Sequence, residues 1–135
     1  MAVSRPHILD TNAVSSLIQG RAAQLDALLR GRKLCLSVIS EAELRYGLAR
    51  RPQATRLAQA VESLLAACTI LPWTSVTSRS YGTLRAQLEA SGVTLSAMDL
   101  LIAAHASEHD AVIVSADQVF TRVPGLTVLN WTLPP

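Results

Sequence analysis

The chain has 135 residues, half of them hydrophobic and 4% aromatic, with a formal net charge of +2. That length fits one domain, 1–135, with a sizeable core. The charge is too small to argue nucleic-acid binding by itself. Two cysteines are too few for a disulfide scaffold, and no apolar run is long enough to span a bilayer. With no signal pattern at the start, the expected address is the cytoplasm and no membrane.

Taken in order, His7–Leu9 is a short apolar run that reads as a buried strand, with Asp10 where the strand stops. Asn12 is a favoured N-cap and opens an amphipathic helix running to Ile18, with Gly20 as its stop. A second helix is expected from Ala22 to Leu29, and a strand from Lys33 to Val38. Ser40 followed by Glu43 matches a capping box for a third helix that ends near Arg50, before Pro52. A long helix from Ala54 to Ala67 leads into a short strand, Thr69–Leu71, closed by Pro72. The next helix starts at Thr77 or Ser78 and stops at Ser91-Gly92. Ala97–Ala106 is apolar on most sides, which predicts a buried helix. Ala111–Ser115 is the clearest β-branched strand, Asp117 lies just past it, and Leu126–Leu129 is the last strand. Strands separated by helices predict an α/β fold with parallel pairing and right-handed crossovers. Cys35 and Cys68 lie in apolar runs and read as small core residues.

In a parallel sheet all carboxyl ends face one edge, and ligands of open α/β sheets bind there. Asp10 and Asp117 both stand just beyond strands. Glu43 and Asp99 stand near helix starts, where the dipole favours a carboxylate. Singly, each reads equally as a turn or capping residue. Asp99 is harder to dismiss, because its helix leaves little polar face to carry it. Four carboxylates in one cleft repel unless a counterion joins them, and an all-oxygen set selects Mg²⁺, with Mn²⁺ as the alternative. Two such ions about 3.5–4 Å apart activate water and stabilise a leaving oxygen in phosphodiester displacement. Thr11, Asn12 and Ser115 add neutral oxygens nearby. The histidines His7, His105 and His109 show no zinc-ligand spacing, and there is no nucleophile elbow, P-loop or dinucleotide fingerprint. Nine of the twelve basic residues fall between Arg5 and Arg56, either as a patch for a polyanion or as solvated helix faces.

Four segments, Leu9–Asn12, Ser40–Gly47, Asp99–Ala106 and Val112–Phe120, resemble in order the motif blocks of PIN-domain ribonucleases, and most closely those of the VapC toxins of bacterial toxin–antitoxin pairs. The tail from Arg122 to Trp131 is similar to their C-terminal strand. The resemblance implies an α/β/α sandwich around a central parallel sheet of four or five strands. It also implies Mg²⁺-dependent endonucleolytic cleavage of RNA, tRNA or another structured RNA. Asp10, Glu43, Asp99 and Asp117 then correspond to the acidic quartet, with Asp10 and Asp99 most directly on metal and Ser115 at the Ser/Thr position before the fourth acid. Glu43 is chosen over Glu41 because Gly47 stands four residues on, as in the family block. The implied partners are a VapB-like antitoxin and a second copy of the chain, giving a homodimer and a toxin–antitoxin hetero-oligomer. The apolar helices between Ala54 and Ala90 either carry such an interface or pack in the chain's own core. Two other readings use the same acids. A phosphohydrolase of the haloacid-dehalogenase type wants a second Asp where this chain has Asn12. A non-catalytic module covers two cases. A receiver-like acceptor wants a Lys after its last strand, whereas Lys33, the sole Lys, precedes the second strand. A degenerate PIN fold that only binds RNA or protein is expected to lack some of the acids, and none is missing.

Overall fold

The computed structural model describes residues 5–20 and 23–134. Five strands form one parallel sheet in the order β3-β2-β1-β4-β5, where β1 is His7–Leu9, β2 Leu34–Ser37, β3 Thr69–Leu71, β4 Val112–Val114 and β5 Thr127–Leu129. The strands are three or four residues long, and β3 and β5 form the two edges. The chain winds outward from β1 through β2 to β3, then returns to β4 on the other side of β1. The winding direction therefore reverses between β1 and β4, which is where the crevice of such a sheet forms.

Strand alternation sends successive side chains to opposite faces. Ile8, Cys35 and Ile113 point into one core with Leu84, Leu88, Ile102 and Phe120. Leu9, Leu36 and Val114 point into the other with Val14, Leu25, Val61 and Leu65. Helices α1 (Thr11–Ile18), α2 (Ala23–Leu29) and α4 (Thr55–Ala67) supply the second face. Helices α5 (Ser75–Ala90) and α6 (Ala97–His109) supply the first. This is an α/β/α sandwich with five strands. Val61, Leu65, Leu84 and Leu88 are buried, so the inner faces of α4 and α5 pack in the chain's own core. Cys35 is buried, Cys68 half-buried, and both are free thiols, as core residues should be; burial pushes the Cys68 thiol up to about 11.

Several helix starts differ from the sequence reading in one direction. Asp10, not Asn12, caps α1, its carboxylate accepting the Ala13 N–H at 2.8 Å. Helix α3 (Val38–Arg50) is capped by Ser37, whose hydroxyl accepts the Ile39 N–H at 3.1 Å. Ser40 therefore lies buried inside that helix, and the Ser40–Glu43 capping box does not exist. Helix α5 is capped by Thr74, with Thr77 completing a reciprocal box. In each case a polar residue in the first turn resembles a cap, while the true cap is a polar residue two to four positions earlier. The second helix starts at Ala23; the expected start at Ala22 lies outside the described residues. A short 3₁₀ turn, η1 (Gln118–Arg122), follows β4. Among the described residues, no helix is long and apolar enough to cross a membrane.

Candidate active site

Asp10 ends β1 at the reversal between β1 and β4 and is 3% exposed. Its backbone N–H donates to the Val114 carbonyl at 3.2 Å, tying it to the end of β4. Ser115 is fully buried beside it, and its hydroxyl accepts the Asp117 N–H at 2.9 Å. Asp117 is exposed; its carboxylate caps η1 through the Val119 N–H at 3.0 Å. Asp99 stands in the first turn of α6, half-buried, with its N–H donating to the Ser96 hydroxyl at 3.2 Å. Two strand ends and one helix start thus bring Asp10, Asp99 and Asp117 to the same sheet edge.

Burial pushes the Asp10 carboxyl above its ordinary range. The Ser115 hydroxyl and the Ala13 N–H pull it back, while the charges of Asp99 and Asp117 push it further up. Removal from water is the largest of these causes, because an ionised carboxylate loses hydration that two hydrogen bonds only partly replace. The folded state consequently holds the Asp10 proton more tightly than the unfolded chain does. The cation-free protein should lose stability as pH rises from about 4, the unfolded carboxylate value, through the raised folded value, and change no further on this account above it. Thermal melts in chelator, wild type minus Asp10→Asn, check this; a difference that rises with pH across that interval contradicts it.

Glu43 is placed differently. It is exposed in the second turn of α3 and borders a cleft of about 250 Å³ together with Thr11, Val14, Ser15, Ser40 and Leu44. Its charge is not among those raising Asp10. Thr11 and Asn12, in the first turn of α1, are exposed at the same edge. Of the quartet, the structure gathers Asp10, Asp99 and Asp117 around Ser115, and sets Glu43 across the Thr11 cleft. Among the described residues, no three His, Cys, Asp or Glu side chains form a finished ligand set. The donor chemistry nonetheless fits a hard divalent cation: all donors are oxygens, and a buried carboxylate made costly by two neighbouring carboxylates is relieved by positive charge. Magnesium keeps several waters and asks for only one or two carboxylates, so a finished cage is not required.

The histidines are occupied elsewhere. His105 and His109 do stand one helical turn apart, with ring centroids 6.3 Å apart, a spacing the sequence reading passed over. The fully buried His105 packs against Trp73 and has Nε2 3.2 Å from the Pro72 carbonyl; burial lowers its pKa. His7 sits at the far end of β1, with Nδ1 at 3.0 Å from the Arg5 carbonyl and Nε2 at 3.3 Å from Arg32. Three of the basic residues between Arg5 and Arg56 are engaged within the chain. Arg5 is tied to Asp110 and Thr127, Arg32 to the Leu28 carbonyl, and Arg45 to Glu41 and Glu62. Arg21 lies outside the described residues.

Residues 7–126 match the PIN domain family. The chain is 31% identical to ribonuclease VapC2 of Haemophilus influenzae over 128 residues, covering 93% of this chain and 97% of that protein. It is 27% identical to the tRNA(fMet)-specific endonuclease VapC of Salmonella typhimurium over 127 residues, 92% of this chain and 96% of that one. Its fold matches the crystal structure of VapBC2 from Rickettsia felis bound to a promoter DNA fragment, with a TM-score of 0.84 at 28% identity, over 93% of this chain and 98% of that one. With the motif blocks in order, the sandwich and the acid-lined edge in place, the chain belongs to the PIN-domain family, within its VapC branch.

Proposed function

We propose that this protein is a metal-dependent endoribonuclease, the toxin of a toxin–antitoxin pair acting in the cytoplasm. The observation that carries the reading is Asp10: a carboxylate at the end of β1, its proton affinity raised by burial and further by the charges of Asp99 and Asp117, at the crevice of a PIN fold. Asp10, Asp99 and Asp117 would hold Mg²⁺, or Mn²⁺ in its place, with Ser115 fixing the turn that presents Asp117. Such a cation supplies Lewis-acid chemistry for phosphodiester hydrolysis and lowers the pKa of water. The chain's own residues do the rest. Asp10 is held rigid by Val114 and Ala13. Asp99 and Asp117 add negative charge beside Asp10 that a divalent cation would neutralise, and Glu43 borders the Thr11 cleft on the side where substrate would enter.

A structured RNA is the proposed substrate, with tRNA first among them, because the Salmonella typhimurium relative is a tRNA(fMet)-specific endonuclease. A VapB-like antitoxin is the proposed partner, in keeping with the VapBC2 assembly of Rickettsia felis, together with a second copy of the chain. Purified protein freed of antitoxin should cut total cellular RNA into discrete fragments with Mg²⁺, and should stop when EDTA is added. Folded protein that leaves RNA intact with every divalent cation would refute the reading and favour a binding module.

A further inference from the structure

From the exposed face of α3 we infer that Tyr46, backed by Arg50, is a stacking platform for an unpaired base of the RNA substrate next to the cleft. This rests on the ribonuclease reading above. Tyr46 is 59% exposed, the one exposed Phe, Tyr or Trp ring among the described residues. The Arg50 guanidinium lies over that ring, 5.6 Å from its centroid. Glu43, Tyr46, Gly47 and Arg50 follow one another at helical spacings of three, four and seven, so they share one stripe of α3. The stripe begins at Glu43, which borders the cleft with Thr11, the residue directly after Asp10.

Gly47 is the second observation. It sits inside α3 without a positive φ, and a Cβ built there meets nothing within 4 Å. Glycine weakens a helix interior relative to alanine, and neither a turn nor a tight packing contact within this chain calls for it. Its effect is to leave room in a hollow of about 210 Å³ that Gly47 lines with Glu43, Leu44, Leu48 and Leu57, so the stripe runs along the lip of a groove. Gly82 in α5 is equally open, so openness alone assigns nothing; Gly47 differs in lying on the stripe that carries the exposed ring and the acid.

Charge selects the occupant. Arg45 is held by Glu41 and Glu62, but among the described residues Arg50 forms no ion pair. An aromatic ring with an unpaired guanidinium group at 5.6 Å complements a base and the phosphate that flanks it. An acidic or apolar peptide meets only one of the two features, since neither offers the ring a planar partner together with a negative charge for Arg50. A strand laid along α3 would place one base on Tyr46, its phosphate toward Arg50, and the next phosphate toward the acid-lined edge.

The test is a binding titration of the full chain carrying Asp10→Asn with a short single-stranded RNA, with Tyr46→Leu, Tyr46→Phe and Arg50→Gln added singly. Tyr46→Leu should weaken binding about tenfold or more with the salt slope unchanged, and Tyr46→Phe should keep most of the affinity. Arg50→Gln should make the slope of log K against log salt shallower by about one. Parent affinity in Tyr46→Leu, or equal losses in the Leu and Phe variants, overturns the platform. So does a change of oligomeric mass with RNA affinity intact, which would give this face to a second copy of the chain. Cleavage by the unaltered chain is scored separately: cleavage with no Tyr46 effect leaves the nuclease and removes only the platform.

Discussion

Asp10→Asn should lower RNA cleavage by about two to three orders of magnitude or more, while leaving the protein folded and, without divalent cation, more stable than wild type. The loss is of the size seen when one preorganised charge-stabilising group is removed from an active site. The gain in stability follows from the same burial. The carboxylate at position 10 is held away from water beside two other carboxylates, so its ionised form works against folding. Asparagine keeps a side-chain oxygen for the Ala13 N–H, preserving the cap of α1, and carries no charge. Melting in chelator and cleavage with Mg²⁺, run on one preparation, separate the two effects. Wild-type cleavage by the variant would remove Asp10 from the active site. Lost cleavage with a lower melting temperature would reduce Asp10 to a structural cap.

Phe120→Ala is expected to be the most destabilising single truncation, by about 3–5 kcal/mol. Phe120 is the only phenylalanine, is fully buried, and belongs to the core cluster of Ile8, Ile113, Leu84 and Leu88. A loss of that size is a large part of the ~5–15 kcal/mol that a domain holds in total. It should appear as a lower urea midpoint with an unchanged slope. Because Phe120 anchors η1 and Asp117 caps η1, activity should fall even at temperatures where the variant stays folded. A loss under about 1 kcal/mol would mean that the surrounding helices close over the gap.

The strands were legible because His7–Leu9, Thr69–Leu71 and the run around Val112–Val114 are apolar and bounded by turn residues. Asp10 and Asp117 stood out as a pair because both follow strands whose carboxyl ends share one edge, although each also serves as a cap, of α1 and of η1. The caps were less legible. Ser40 and Thr77 are polar first-turn residues, and only the backbone path distinguishes them from Ser37 and Thr74. The 3₁₀ turn at Gln118–Arg122 is too short to show a period. Strand order was not readable at all, because pairing β1 with β4 depends on residues about a hundred positions apart, as in Ile8 against Ile113. The separate placement of Glu43 escaped for the same reason: the sequence puts it near a helix start on the right edge, but only the packing of α3 shows that it borders a cleft with Thr11 and not the group of Asp10, Asp99 and Asp117.

The brevity of the outer strands bears on how other proteins can be received. Chains that recognise partners by strand addition offer a long open edge whose unpaired amides and carbonyls guide the incoming segment. Here both borders of the sheet, Thr69–Leu71 and Thr127–Leu129, are three residues long, and Pro72 ends the first. Such edges give a sixth strand almost nothing to read, and they spare the protein edge-to-edge aggregation. A binding protein must therefore grip this molecule by the ridges and hollows between its helices.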